Sequence, residues 1–192
     1  MVKVLIGCIP AGIIGLLFDD LIDTYLYKAY VVAATLIIYG IAFIVIENRQ
    51  KKPAINDIDS LSCKTAALIG VFQILALVPG TSRSGSTILG AVILGTSREV
   101  AAEFSFFLAV PIMLGASALK ILKYFAEFGM FGTQELMLLL VGMAVAYIVS
   151  IAAIRFLMEY IRKRDFKAFG YYRIVLGILV IAYFAVSGAA VI

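Results

Sequence analysis

Of 192 residues, 64% are apolar, against roughly 45–50% in soluble domains, and only 15% are charged. Mean hydropathy is +1.09, so most apolar side chains must face lipid or other helices: this is an integral membrane protein. The absence of histidine excludes Ser-His-Asp triads, His-ligated zinc and haem, and the net charge of +4 is explained by membrane topology without a nucleic-acid partner. Cys8 and Cys63 lie in apolar stretches and read as small buried hydrophobes rather than a disulfide framework.

A membrane-spanning helix needs about 20 mostly apolar residues. In chain order the apolar runs are 4–18, 29–46, 61–78, a short 86–95, 101–119, 137–157 and 174–192. Pro10 in the first run is tolerable where neighbouring helices re-satisfy the backbone. Basic residues gather at Arg49, Lys51 and Lys52 and again at Arg155, Arg162, Lys163, Arg164, Lys167 and Arg173. The loop expected after the first run is acidic, with Asp19, Asp20 and Asp23. Placing both basic clusters in the cytoplasm sends 4–18 outward, 29–46 inward, 101–119 outward, 137–157 inward and 174–192 outward. The 61–95 stretch must then enter and return on one side, as a re-entrant hairpin with its turn at 79–86. The expected fold is all-α: a polytopic membrane protein of about five to six transmembrane helices plus this hairpin.

Leu5-Ile6-Gly7 echoes Leu140-Val141-Gly142, and Tyr27-Lys28 echoes Tyr172-Arg173. The matched pairs run in opposite directions, the pattern of an inverted-topology repeat. Residues 1–53 then read as the remnant of a first repeat and 54–192 as a second that carries the hairpin 61–95. The front of the first repeat is expected to be missing.

The turn reads Pro79-Gly80-Thr81-Ser82-Arg83-Ser84-Gly85-Ser86-Thr87: five hydroxyls and a guanidinium between apolar arms. An arginine at bilayer depth costs about 2.5–3.5 kcal/mol on insertion scales, and an anion is the natural group to offset it. Gly80 and Gly85 let the backbone fold tightly and bring N–H groups to a ligand. Ser86 and Thr87 would open a helix whose N-terminus favours phosphate, while Arg83 supplies a planar fork for its oxygens. A snorkelling interfacial arginine with hydroxyls bonded to the backbone is the simpler alternative. The segment lacks the Gly-Lys-Ser/Thr ending of a Walker A loop and the cysteine of a cysteine-phosphatase loop.

Gln73-Ile74-Leu75-Ala76-Leu77-Val78 followed by Pro79-Gly80-Thr81-Ser82-Arg83-Ser84-Gly85 resembles the second signature of the undecaprenyl-diphosphate phosphatases, the bacitracin-resistance family of bacterial inner membranes. The resemblance extends through Ser97-Arg98-Glu99 and the stretch Glu103-Phe104-Ser105-Phe106-Phe107-Leu108-Ala109-Val110-Pro111, with Ile9-Pro10-Ala11-Gly12 at the front. It implies a multi-pass bacterial cell-membrane enzyme that hydrolyses undecaprenyl diphosphate to undecaprenyl phosphate, recycles the peptidoglycan lipid carrier and confers bacitracin resistance. It further implies a site open to the outer face, assistance by Mg²⁺ or Ca²⁺ and a polyprenyl diphosphate as substrate; membrane lipids and a homodimer are the further partners expected of the chain. Residue by residue, it assigns catalysis to Arg83, Ser82 and Thr87. Gly80, Thr81, Ser84, Gly85, Ser86 and Gln73 would bind substrate. The family's first signature, two glutamates at helical spacing and a Ser-Ser-Gly-His run, does not occur in these residues, so the chain reads as a member truncated at its front. An inactive remnant and a transporter or flippase of an anionic lipid-linked substrate are the alternatives.

Glu103 is an acid inside an expected span, to be read either as functional or as the partner of Arg98. Gln73 would face either the loop or a neighbouring helix. The Arg162-Lys163-Arg164 cluster is expected to set topology and to touch anionic headgroups.

Overall fold

A computed structural model describes residues 1–49, 52–163 and 165–187, except for the side chains at 16, 19–24, 162 and 163. Lys51, Arg162, Lys163 and Arg164 and the acidic side chains of Asp19, Asp20 and Asp23 thus lie outside the described part. Within it the fold is all-α. The helices are α1 (Val2–Leu26), α2 (Ala29–Asn48), α3 (Cys63–Ile74), α4 (Arg83–Ile93), α5 (Arg98–Phe128), α6 (Thr133–Lys163) and α7 (Lys167–Ser187). Four segments, Ala29–Asn48, Arg98–Phe128, Thr133–Ile161 and Lys167–Val186, are long and apolar enough to cross a membrane. Residues Met1–Leu108 with Asp165–Ile192 form one compact unit and Ala109–Arg164 another.

One boundary and one burial state differ from the sequence reading. The first helix runs on to Leu26 through the segment expected to be an acidic loop. Its apolar run ends near 18, but no glycine or proline follows until after Leu26, so the backbone hydrogen-bond ladder continues beyond the apolar stretch. Cys63 is exposed at the start of α3, not buried. Both cysteines are free thiols.

α3 continues into a 3-10 turn at Leu75–Leu77, and the chain reverses through Val78–Ser82 into α4. An 11-residue helix such as α4 rises about 17 Å, little more than half of a hydrocarbon core of about 30 Å. The open end of this hairpin is laced shut: the N–H groups of Ala54 and Ile55 donate to Gly95 O at 2.8 and 3.0 Å, and Ser97 N–H donates to Ile55 O at 2.8 Å. The hairpin therefore starts and finishes at the same level, with its turn at the far end, as the topology argument expects.

Two close helix contacts hold this hairpin's surroundings. α1 runs parallel to α3, with Gly7 against Ala66 and Gly70 and Gly15 against Leu77. A Cβ on Gly70 would drive into the backbone carbonyl of Gly7, so the contact exists only without a side chain there. α7 runs antiparallel to α2, with Gly40 against Gly170 and Ile174 and Gly177 against Ala33, Leu36 and Ile37. Such small-residue contacts are how membrane helices gain close packing when water supplies no driving force. Leu61, Ala66, Ile69, Ala91, Val100, Ala101, Phe104 and Leu108 form the core between α3, α4 and the first half of α5.

At the level of the hairpin's open end, Glu47 of α2 is only 7% exposed. Its carboxylate pairs with Arg98 at the start of α5 and accepts the Phe166 N–H at 3.2 Å. Arg98 is thus engaged by Glu47 rather than by Glu103, the partner considered from sequence. An acid on a distant helix with a buried position forms the tighter pair.

Substituting Gly70→Ala is expected to destabilise the protein by about 1–3 kcal/mol through overpacking of α1 on α3. Gly12→Ala, at a position with open space around it, should be neutral. Thermal unfolding midpoints in one detergent compare the two, and equal midpoints would contradict the close contact.

Candidate functional site

The loop between α3 and α4 is built around Gly80, whose φ of +81° is a left-handed conformation that side chains disfavour. A Cβ there would also strike the Thr35 hydroxyl and sit 2.7 Å from Val32 Cα, so the loop lies directly on α2. Thr35 Oγ1 lies 2.8 Å from Pro79 O and 2.9 and 3.0 Å from the carbonyls of Val31 and Val32 in its own helix. Its single proton is shared among these acceptors. The next carbonyl, Gly80 O, accepts from Arg173 Nη2 at 2.7 Å.

α4 begins at Arg83, three residues before the start expected from sequence. Ser82 is its N-cap, with Oγ accepting the Gly85 N–H at 3.1 Å and standing 3.1 Å from Ser84 Oγ. That bond satisfies one of the orphan donors of the first turn. Capping by Ser82 is why the helix starts early: the hydroxyl closes the turn before Ser86 is reached. Ser86 and Thr87 therefore lie in the second turn and are fully buried. Ser86 Oγ donates to Ser82 O at 3.2 Å. Thr87 Oγ1 faces the carbonyls of Arg83 and Ser84 at 3.0 and 3.1 Å and stands 2.6 Å from Ser105 Oγ of α5.

Two guanidiniums meet this loop. Arg83 is the first residue of α4, half-buried, and its buried Nη1 has no hydrogen-bond partner. Arg173 comes from α7, 8% exposed, with its guanidinium carbon 5.6 Å from the centre of the Tyr39 ring. Its Nε is buried and unpartnered. Arg173 Nη1 and Ser82 Oγ each lie 3.4 Å from the point a Cβ on Gly85 would occupy, so both border the space that this glycine leaves free. Among the described residues no carboxylate pairs with either arginine. Two partly desolvated cations, a helix N-terminus and hydroxyls at Ser82 and Ser84 make an electropositive cradle, and its chemical complement is a compact polyanion.

A family model for the bacitracin resistance protein BacA matches residues 1–179. The chain is 61% identical over 182 residues to undecaprenyl-diphosphatase 1 of Clostridioides difficile, covering 95% of this chain and 65% of that protein. It is 58% identical over 186 residues to the undecaprenyl-diphosphatase of Acetivibrio thermocellus, covering 95% and 67%, and 57% identical over 181 residues to that of Enterococcus faecalis, covering 93% and 64%. The chain belongs to the BacA bacitracin-resistance family. It spans about two thirds of the length of these relatives, 65% in the first case.

In this BacA-family chain the structure brings Gly80, Ser82, Arg83, Ser84 and Gly85 together at the loop and helix start. Thr81 is buried in the turn, its N–H donating to Val78 O at 3.1 Å. Gln73 is 2% exposed, and neither amide atom has a partner. Arg173, read from sequence only as a member of a basic cluster, is brought to the loop by its bond to Gly80 O. Only its position six residues into the apolar segment of α7 distinguishes it from Arg162 and Lys167 in the sequence. Among the described residues no three His, Cys, Asp or Glu stand together as a metal site, and the loop's donors are neutral hydroxyls beside cations. That donor set does not fit a divalent cation.

The Thr87–Ser105 pair anchors α4 to α5. Thr87→Val, which leaves the buried Ser105 hydroxyl without that partner, is expected to cost about 1–3 kcal/mol, while Thr87→Ser keeps the bond and most of the stability. Chemical denaturation in mixed micelles reads both, and a valine variant as stable as the serine variant would deny the anchor.

Proposed function

We propose that this chain holds the diphosphate of undecaprenyl diphosphate and takes part in its hydrolysis to undecaprenyl phosphate and inorganic phosphate. One observation carries the reading: Arg83 opens the helix that follows a glycine-bounded loop, Arg173 donates to that loop's Gly80 O, and each keeps a buried, unpartnered nitrogen with no described acid to neutralise it. The names of the relatives, undecaprenyl-diphosphatases at 57–61% identity, supply the substrate class. Recycling of the cell-wall lipid carrier and bacitracin resistance follow from that reaction.

In this reading the distal phosphate sits at the N-terminus of α4, where the first-turn N–H groups lack helical acceptors. Ser82 is tied on one side to the Gly85 N–H, and its proton and that of Ser84 turn toward phosphate oxygens. Arg83 forms the charge-assisted fork, and Arg173, steadied by Gly80 O and the Tyr39 ring, faces the same charge. A water oxygen bonds to the distal phosphorus as the bond from that phosphorus to the bridging oxygen breaks. The distal phosphorus leaves as inorganic phosphate, the water protons pass to the phosphate oxygens and solvent, and the bridging oxygen leaves on undecaprenyl phosphate. The guanidiniums stabilise the negative charge that gathers there. Thr87 acts from behind, fixing the turn of α4 that presents Arg83. Gln73 of α3 adds a buried amide whose polar atoms have no other partner. The Mg²⁺ or Ca²⁺ expected from the family has no ligand set among the described residues, and no step is routed through it.

The antiparallel α2–α7 pair supports a site toward the outer face. Arg49, Lys52, Arg98 and Lys167 gather at the end of the unit marked by Glu47, which the positive-inside rule assigns to the cytoplasm. The loop contacts α2 at Thr35, about 9 Å from its opposite end.

The test is phosphate release from a polyprenyl diphosphate by the purified chain, with substrate binding measured in parallel. Arg83→Ala and Arg173→Ala are each expected to lower release by about 10²-fold or more, with the lysine variants between. If the chain binds without turnover, the same substitutions should weaken binding. Binding and release both unaffected by the alanine variants would refute the assignment.

A further inference from the structure

Residues 104–119 of α5 carry no charge and span about 24 Å, and residues 136–154 of α6 carry none and span about 28 Å. Each run is close to the thickness of a hydrocarbon core, about 30 Å. The segment between them opens with Lys120 and Lys123, carries Glu127, which forms no ion pair with either lysine, and closes with Glu135, and an aromatic knob lies within it. Tyr124 stacks on Phe131 at 4.6 Å and lies 5.2 Å from Phe128, while Phe125 meets Phe131 edge-on at 4.9 Å. Glu135 ties the knob together, accepting the Tyr124 hydroxyl and the Gly132 N–H, both at 2.9 Å. The knob nevertheless presents Phe128 at 67% and Met130 at 87% exposure. Lys120 and Lys123, three residues apart and so on one helix face, are exposed and have no acidic partner among the described residues.

We infer that the 120–135 tip is a membrane-interface anchor: the aromatic knob seats at the headgroup–acyl boundary, and Lys120 and Lys123 take the phosphates of anionic phospholipids. In water the exposed phenylalanine and methionine would be costly, and in the hydrocarbon core the lysines and glutamates would be. A layer with apolar depth on one side and phosphate on the other satisfies both, and it is the layer in which amphipathic aromatic rings and basic side chains concentrate. The polar atoms of Tyr124 and Glu135 already satisfy each other, so the knob needs no protein partner to be buried there. This inference is independent of the phosphate loop.

The chain contains no tryptophan, so Met130→Trp introduces a single reporter that leaves the ring cluster untouched. The full chain is reconstituted in phosphatidylcholine/phosphatidylglycerol vesicles with bromines placed at shallow or deep acyl positions, and iodide probes access from water. The expected result is blue-shifted emission quenched most by shallow bromines. Bromines on phosphatidylglycerol should quench about twofold or more above those on phosphatidylcholine, and Lys120→Gln/Lys123→Gln should abolish that difference. Quenching strongest at the deep position, or by iodide alone, would overturn the anchor. Equal quenching by both brominated lipids would overturn the role of the lysines.

Discussion

Two carbonyl groups in the turn before α4, those of Pro79 and Gly80, lie outside any helix ladder in a partly buried turn. Unsatisfied, each would cost free energy comparable to a lost hydrogen bond or more. Thr35 of α2 answers the first and Arg173 of α7 the second. Because α2 and α7 are themselves locked by their glycine contacts, these two bonds fix the turn to a rigid pair of helices. The position of Ser82 as a cap, the start of α4, and the place of Arg83 all follow from where that turn is held. A loop tied only through its own hydroxyls would be free to shift.

The same arrangement leaves an electrostatic debt. Arg173 spends Nη2 on a carbonyl and its face on Tyr39, and Arg83 caps nothing, so neither cation meets an acid among the described residues. Elsewhere in this unit the fold shows that it can neutralise a cation: Glu47 takes Arg98 and a backbone N–H at once. The contrast between the two ends of the hairpin separates structure from function. The end that is laced and ion-paired is finished without a ligand. The loop end keeps unpartnered nitrogens on its arginines, which a bound anion would satisfy.

Much of this was legible in the sequence because it is local. The apolar runs at 29–46, 101–119 and 137–157 locate α2, α5 and α6, since about twenty mostly apolar residues admit few other fates in a membrane protein. The Pro79–Thr87 segment is conspicuous because hydroxyls, glycines and an arginine interrupt apolar arms. What could not be read depends on contacts distant in the chain. Arg173 and Gly80 are 93 residues apart, and Arg173 has the same side chain as its neighbours in a basic cluster. Glu47 and Arg98 sit in different apolar surroundings, whereas Glu103 lies nearby in sequence and draws attention wrongly. The helix start at Arg83 was missed for a different reason: Ser82 and Ser86 are equally good caps by residue type, and only the geometry of the turn selects between them.

α4 also shows why a short helix suits this position better than a spanning one. A helix N-terminus acts within its first turn, so where α4 begins decides where its positive end lies. A full-length span would carry that end to the membrane surface. An 11-residue helix preceded by a tight turn brings it inside, and Thr87, bonded to Ser105, stops the helix from sliding along α5. The cost is an exposed set of turn carbonyls at that depth, and the same residues that meet it, Thr35 and Arg173, bring the second guanidinium to the site. At Arg173 backbone satisfaction and the placing of a guanidinium are therefore one arrangement, and a substitution there removes both.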